Sequence, residues 1–319
     1  MTTGKRILLA SRPVGEPKES DLRIEEMPVP APGPGAMLLR TLWLSLDPYM
    51  RGRMSDAPSY ATPVAIGQVM EGRTVSEVIA SNLDGYAPGD IVLSPSGWQT
   101  HAVNQGKLTR KIDPSIAPVS TALGVLGMPG MTAYTGLLEI GHPKPGETVL
   151  VSAASGAVGS LVGQIARLKG ARAVGIAGGP AKCRYVVEEL GFDACIDHRA
   201  GDMADRLKAA CPKGIDVYFE NVGGAVFEAV FPLFNNFARV PVCGQIATYN
   251  ATEMPQGSLR TSQLTRAILT KRLTLRGFIV SDFASRQADF LRDVSAWLRE
   301  GRIKHREDVV EGLDRAPRA

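Results

Sequence analysis

One stretch of this 319-residue chain has residue types at a spacing that fits phosphate chemistry: AASGAVGS, residues 153–160. It follows the apolar run TVLVSA and precedes apolar positions at helical spacing: Val158, Leu161, Val162, Ile165 and Leu168. A strand, a glycine-rich turn and a helix in that order can cradle a pyrophosphate. The turn lets backbone come close, and the helix N-terminus offers unpaired N–H groups and a positive dipole end. Ala154 stands where the dinucleotide fingerprint normally starts with glycine, and Gly156 and Gly159 follow at the expected spacing. Gly156 would admit the phosphates, Gly159 would let helix and strand pack closely, and Val158 lies between them in the same turn. The competing reading is a tight strand–helix turn that binds nothing.

The residues downstream choose between cofactors. An NAD site usually has an acidic residue about 20 positions on, to hold the ribose 2′-hydroxyl. No Asp or Glu occurs from Gly156 through Val187. Gly178, Gly179 and Pro180 stand there instead, followed by Lys182 and Arg184. Small residues leave room for a 2′-phosphate and a cation can pair with it. The expected cofactor is NADP(H), with Gly178 leaving space and Lys182 as the main phosphate contact. Otherwise Lys182 is a solvated residue in the first turn of a helix.

Metal chemistry finds no support. The four cysteines, Cys183, Cys195, Cys211 and Cys243, all lie in the second half, form no CxxC pair and have no His at zinc-finger spacing. His142, His198 and His305 are isolated. Such cysteine usage suits a reducing, cytoplasmic compartment. The opening residues hold only a four-residue apolar run, and no stretch of about 18 apolar residues occurs, so neither a signal peptide nor a membrane span is expected. The net charge of +4, from 36 basic and 32 acidic residues, is too balanced and dispersed for a nucleic-acid surface.

These residues need elements to hold them. The first ~120 residues read as β-rich, with strand candidates KRILLAS, AMLLRTLWLSL, PVAIGQVMEGRTVSEVIAS and DIVLSP set between Pro and Gly. Afterwards strands and helices alternate. Strands are expected at 148–153, 172–178, 194–197, 215–221, 239–244 and 273–280. Helices are expected at 157–169, 181–190, 225–235 and 286–299. That alternation predicts an α/β fold with a doubly wound parallel sheet and right-handed crossovers.

Several long motifs in order resemble the zinc-independent medium-chain dehydrogenase/reductases. These are LSLDPYMRGRM, IGQVMEG, GMPGMTAYTGL, the stretch from AASGAVGS to FDACID, GIDVYFENVGG, NNFARVPVCGQIATYN and LTKRLTLRGFIVSD. Within that family they resemble the branch of leukotriene B4 12-hydroxydehydrogenases, prostaglandin reductases and alkenal double-bond reductases. The resemblance implies a GroES-like catalytic domain from residues 1–124 with 300–319, and a Rossmann NADP(H)-binding domain from 125–299. It implies NADPH-dependent reduction of the C=C bond of α,β-unsaturated aldehydes or ketones, without a metal. The first domain agrees, since it has no Cys and a single His, His101, against the Cys and His a catalytic zinc would require.

The resemblance also implies roles. Tyr249 would donate a hydrogen bond beside substrate and nicotinamide, and Tyr49 would line the substrate pocket; each could equally be a packing aromatic. Thr132, Asn221, Cys243, Gly244, Phe278, Ile279 and Val280 would border the nicotinamide half of the cofactor. His198, followed by Arg199, replaces a Tyr common in the family near the adenosine phosphate. Arg51 and Arg53 are read as structural ion-pair residues in preference to contacts for a carboxylated substrate. The family further suggests a homodimer, and relatives carry a short helix and a final strand beyond the point where this sequence ends. Two alternatives share the scaffold: an NADPH quinone reductase, and a non-catalytic NADPH-binding relative that serves as an RNA-binding protein.

Overall fold

The structure, a computed structural model, describes residues 3–253 and 259–319. The chain divides into two compact units. One takes the chain up to Gly124 with Tyr249–Thr252 and Glu307–Ala319; the other takes Val125–Thr248 and Glu253–Arg306.

In the first unit, β1 (Thr3–Leu9) pairs antiparallel with β2 (Leu22–Pro28). A five-stranded antiparallel sheet runs in the order β6-β3-β4-β5-β7. Its strands are β3 (Met37–Leu44), β4 (Thr74–Ser81), β5 (Ile91–Ser94), β6 (His101–Asn104) and β7 (Arg110–Lys111). The short helix α1 (Tyr49–Arg53) follows β3. Met37, Leu39, Val78 and Val92 meet inside the sheet. A second cluster gathers Ile7, Leu9, Met50, Met54, Met70 and Trp98, with Leu313 and Ala316 packed on it. This second cluster anchors α1 through Met50 and Met54, so Tyr49 rides on a buried footing.

The second unit starts with α2 (Met128–Thr135) and builds a six-stranded parallel sheet. The strands are β8 (Thr148–Val151), β9 (Arg172–Ala177), β10 (Ala194–Asp197), β11 (Ile215–Phe219), β12 (Phe234–Val242) and β13 (Thr274–Gly277). The connecting helices are α3 (Gly159–Leu168), α4 (Pro180–Arg184), α5 (Met203–Ala210), α6 (Gly224–Val230), α7 (Thr261–Lys271) and α8 (Gln287–Arg299). The strand order is β10-β9-β8-β11-β12-β13, the Rossmann order, which reverses direction between β8 and β11. All four residues of β8 are buried, as a central parallel strand covered on both faces requires. Helix α3 lies so close that a Cβ at Gly163 would come within 1.9 Å of the Phe192 ring.

Several expected boundaries move. The strand expected over 63–81 is confined to Thr74–Ser81, with Val69 making only an isolated bridge to Leu8. The strand expected over 273–280 stops at Gly277, because Phe278 turns into the core and the Asp282 carboxylate accepts the Ile279 N–H to start a 3-10 turn at Val280. Strand β12 starts at Phe234, five residues before the expected 239, behind the polar pair Asn235–Asn236 that hides it in the sequence. Strands β2, β6 and β7 and helices α1, α2, α5 and α7 lie outside the expected elements. Helix α2 shows no amphipathic period because every residue from Pro129 to Thr135 is buried.

Candidate functional site

The turn after β8 is made of backbone. Ala153 adopts a left-handed conformation (φ 51°), and Ala154, fully buried, donates its N–H to Ile176 O at 2.9 Å. An alanine is tolerated at that first position because the neighbouring strand gives up its own side chain: a Cβ at Gly175 would sit 2.7 Å from the Ala154 methyl. A Cβ at Gly159 would lie 2.3 Å from the Ala153 carbonyl oxygen, so only glycine lets α3 start there. At Gly156 the corresponding distance is 3.2 Å, and Gly156 and Ala157 are exposed. Val158 immediately precedes the first turn of α3.

At the end of β9, Gly178 faces His198 and Arg199. A Cβ on Gly178 would lie 3.0 Å from His198 Nε2 and 3.1 Å from Arg199 Nε. Gly179 (φ 93°) precedes α4, which carries the exposed Lys182. Asp197 is the nearest acid. Its carboxylate accepts the N–H groups of Gly179 (2.8 Å) and Arg199 (2.9 Å), and these bonds hold it below the usual carboxylate range. The acid is therefore committed to the turn, while Lys182, His198 and Arg199 are all exposed and, among the described residues, none makes a salt bridge. Sequence reasoning singled out Lys182 and His198 but not Asp197, whose role depends on β10 lying beside β9.

Loops after β11 and β12 occupy the other side of the direction reversal. The Asn221 side chain donates Nδ2–H to Ser152 O (2.8 Å) and its N–H bonds Ser152 Oγ (2.9 Å), tying this loop to the end of β8. Cys243 and Gly244 donate their N–H groups to Glu220 O at 2.8 and 3.1 Å. Burial, and then the Glu220 charge, push the Cys243 thiol up to about 12, so it is a packing thiol and not a nucleophile at neutral pH. Thr132 is buried in α2 and donates its hydroxyl to Met128 O at 2.8 Å. Phe278 packs edge-on against Phe219, 6.3 Å between ring centres, over the missing side chain of Gly136. Ile279 and Val280 follow it, half-buried. Glu220, buried at the end of β11, has no precedent in the sequence reading.

In the first unit, α1 is brought against the segment that carries Tyr249. Arg51 Nε donates to Asn250 Oδ1 at 3.0 Å, across 199 positions of sequence, and Arg51 Nη2 donates to Gly15 O at 2.9 Å. Tyr49 is half-buried. Burial first, then the charges of Asp47 and Glu71, push its phenol up to about 12, so it is a neutral donor at any ordinary pH. The Arg53 guanidinium lies 5.5 Å from the centre of the Tyr49 ring, 4.8 Å from that of Tyr60, and pairs with Glu71. Arg53 thus makes the expected ion pair, whereas Arg51 bonds an amide oxygen and main-chain carbonyls in place of a carboxylate.

The residues of the second unit fit a dinucleotide phosphate: the Gly159 cradle would be filled by any Cβ, α3 opens beside it, and a turn without a free acid carries the cations. Among the described residues no group of three or more His, Cys, Asp or Glu could hold a metal ion, and no helix is long and apolar enough to cross a membrane.

Comparison with known proteins agrees. Residues 5–112 match the family model described as the N-terminal domain of oxidoreductase, and residues 157–298 match zinc-binding dehydrogenase. The chain is 54% identical to the NADPH-dependent curcumin reductase of Escherichia coli (strain K12), over 98% of this chain and 91% of that one. It is 38% identical to the 2-alkenal reductase (NADP(+)-dependent) of Nicotiana tabacum, over 99% of this chain and 93% of that one. It superposes on the crystal structure of CurA from Vibrio vulnificus in complex with NADPH with a TM-score of 0.95 and 52% identity, covering 99% of this chain and 94% of that one. The chain belongs to the medium-chain dehydrogenase/reductase family, in the branch that holds the curcumin and 2-alkenal reductases.

Proposed function

We propose that this protein is an NADPH-dependent reductase of the activated C=C bond of α,β-unsaturated aldehydes and ketones. The observation that carries the reading is the glycine cradle at Gly159, set next to a cationic turn whose one acid is already spent on backbone amides. Gly156, Val158 and Gly159, with Ala154 beneath them, would hold the pyrophosphate. Lys182, Arg199 and His198 around Gly178 would hold the 2′-phosphate. Thr132, Asn221, Cys243, Gly244, Phe278, Ile279 and Val280 would shape the nicotinamide half.

When bound, the dihydronicotinamide supplies a hydride for the substrate β-carbon. The C=C electron pair then moves toward the carbonyl oxygen, and a proton is taken up at the α-carbon, giving the saturated carbonyl. The protein's task is to position the substrate and stabilise the developing oxyanion. Tyr249 is the proposed donor to that oxygen, since a phenol with an ordinary pKa of about 10 keeps its proton at neutral pH. Tyr49 is proposed to line the pocket, kept neutral by its burial.

The same reading takes residues 1–124 with 300–319 as the catalytic domain and 125–299 as the cofactor domain. It places the enzyme in the cytoplasm, where four free cysteines are at home, as a homodimer joined along the open edge of β13. The test is absorbance at 340 nm with NADPH or NADH and a panel of 2-alkenals, enones, curcumin-like dienones and quinones. Turnover of enones with preference for NADPH is expected. NADPH binding with no turnover of any enone would overturn the assignment.

A further inference from the structure

Glu220 closes β11 beside β8, at the point where the strand order reverses. It is 2% exposed. Its Oε1 accepts the N–H groups of Val222 (2.6 Å) and Gly223 (2.9 Å) and lies 3.1 Å from the Ser152 hydroxyl. Its main-chain oxygen accepts Cys243 N–H and Gly244 N–H, and its own N–H donates to Pro241 O. Ser152, in turn, accepts both the main-chain and the side-chain N–H of Asn221. One residue therefore gathers the loops that leave three adjacent strands, β8, β11 and β12.

Such a residue is costly to keep. A carboxyl out of water is penalised unless all its lone pairs find donors; among the described residues Oε2 makes no hydrogen bond of good geometry, although the equally buried Tyr218 hydroxyl interacts with this carboxyl. Burial accordingly shifts the Glu220 carboxyl upward, against the pull of the Val222 and Gly223 amides. A neutral side chain would close a simple turn at less cost. What the carboxyl adds is one acceptor that fixes two consecutive amides of the Val222–Gly224 turn, where Gly223 (φ 74°) and Gly224 (φ 54°) have unusual freedom to wander.

We propose that Glu220 is a positioning residue, which sets the Asn221–Gly224 and Cys243–Gly244 loops in the register that receives the nicotinamide half of the cofactor and leaves the adenosine half untouched. The proposal rests on the NADPH reading above. It is tested by measuring the affinities of NADPH and of 2′,5′-ADP, which carries the adenosine half alone, by calorimetry. The comparison is among the parent protein, Glu220→Gln and Glu220→Ala, with thermal melts alongside. For Glu220→Ala the expected result is at least about tenfold weaker NADPH binding with 2′,5′-ADP binding within about twofold of the parent. Glu220→Gln keeps the carbonyl acceptor but loses charge assistance, so it should restore NADPH binding to within about threefold of the parent. Should Glu220→Ala not fold, the Gln variant must show the same selectivity, a small loss on NADPH and none on 2′,5′-ADP. Equal losses on both ligands, or no loss on either, would overturn the positioning role. A parent protein that binds neither ligand would refute the cofactor reading, and this proposal with it.

Discussion

At the turn after β8 the contacts are made by backbone: Ala154 N–H on Ile176 O, and Gly159 pressed against the Ala153 carbonyl. Beside Tyr249 they are made by a long side chain from far away in the sequence. Arg51 reaches Asn250 and the carbonyls of Pro13 and Gly15, while within its own stretch of chain Arg53 lies over Tyr49 and Tyr60. The two regions handle different demands. Phosphates are the same in every dinucleotide, so a fixed backbone cradle serves. Substrates differ, and on the proposed roles a tyrosine region held by side chains could change by substitution without disturbing the sheet. The two should therefore fail differently: damage to the cradle weakens cofactor binding, and damage to the tyrosine region slows turnover.

The largest effect is expected at the chemical end. Tyr249→Phe removes the proposed oxyanion donor and should lower kcat by roughly 100-fold while leaving NADPH affinity unchanged. Stopped-flow hydride transfer with an enone, together with NADPH titration, measures both. Next comes Gly159→Ala. Its methyl must displace the Ala153 carbonyl, which costs about 1–3 kcal/mol of stability and moves the turn that would meet the phosphates, so NADPH affinity should fall roughly 10- to 100-fold. Gly156→Ala, with 3.2 Å available, should lose less. Fluorescence titration of NADPH gives the ranking, and an equal loss at both glycines would contradict the cradle geometry.

Smaller still, Lys182→Ala and Arg199→Ala should each raise KM for NADPH about tenfold and leave KM for NADH unchanged, the size of one charge-assisted hydrogen bond. An unaltered preference would remove that residue from the 2′-phosphate site. Arg51→Ala should lower kcat several-fold through a loosened Tyr249 segment, without weakening NADPH binding. The smallest effect concerns Asp47, whose carboxyl burial pushes up to about 6. The folded protein then keeps this proton where the unfolded chain, titrating at about 4, has lost it. Stability is thus full below pH ~4 and declines as the pH rises through that interval. Asp47→Asn should melt with the parent at low pH and above it at pH 7, and melting curves across that range check the sign.

The same contrast explains what was legible in the sequence. The cradle is local: strand, turn and helix lie within two dozen residues, so Gly156, Gly159 and the acid-free stretch to Lys182 could be read directly. The parallel sheet was legible for the same reason, because buried strands such as TVLV are continuous apolar runs. Arg51 meeting Asn250 was not legible, because 199 residues separate them and no spacing rule joins them. Asp197 and Glu220 were missed because their partners are backbone amides, which every sequence contains. Helix α2 was missed because it is buried on all sides and so has no polar face to mark its period. Tyr249 and Tyr49 entered through family resemblance, and only the fold shows that their neighbours Asn250 and Arg51 touch.

An alkenal reductase delivers hydride to the β-carbon of an activated alkene, where a carbonyl reductase would deliver it to the carbonyl carbon. The difference is tested most directly by running the reaction with NADPH deuterated at nicotinamide C4, on the face that transfers, and a 2-alkenal as substrate, then locating the label by NMR. The expected product is a saturated aldehyde with deuterium at C3. Deuterium at C1 of an allylic alcohol, or no labelled product from a protein that binds NADPH, would contradict the proposed activity.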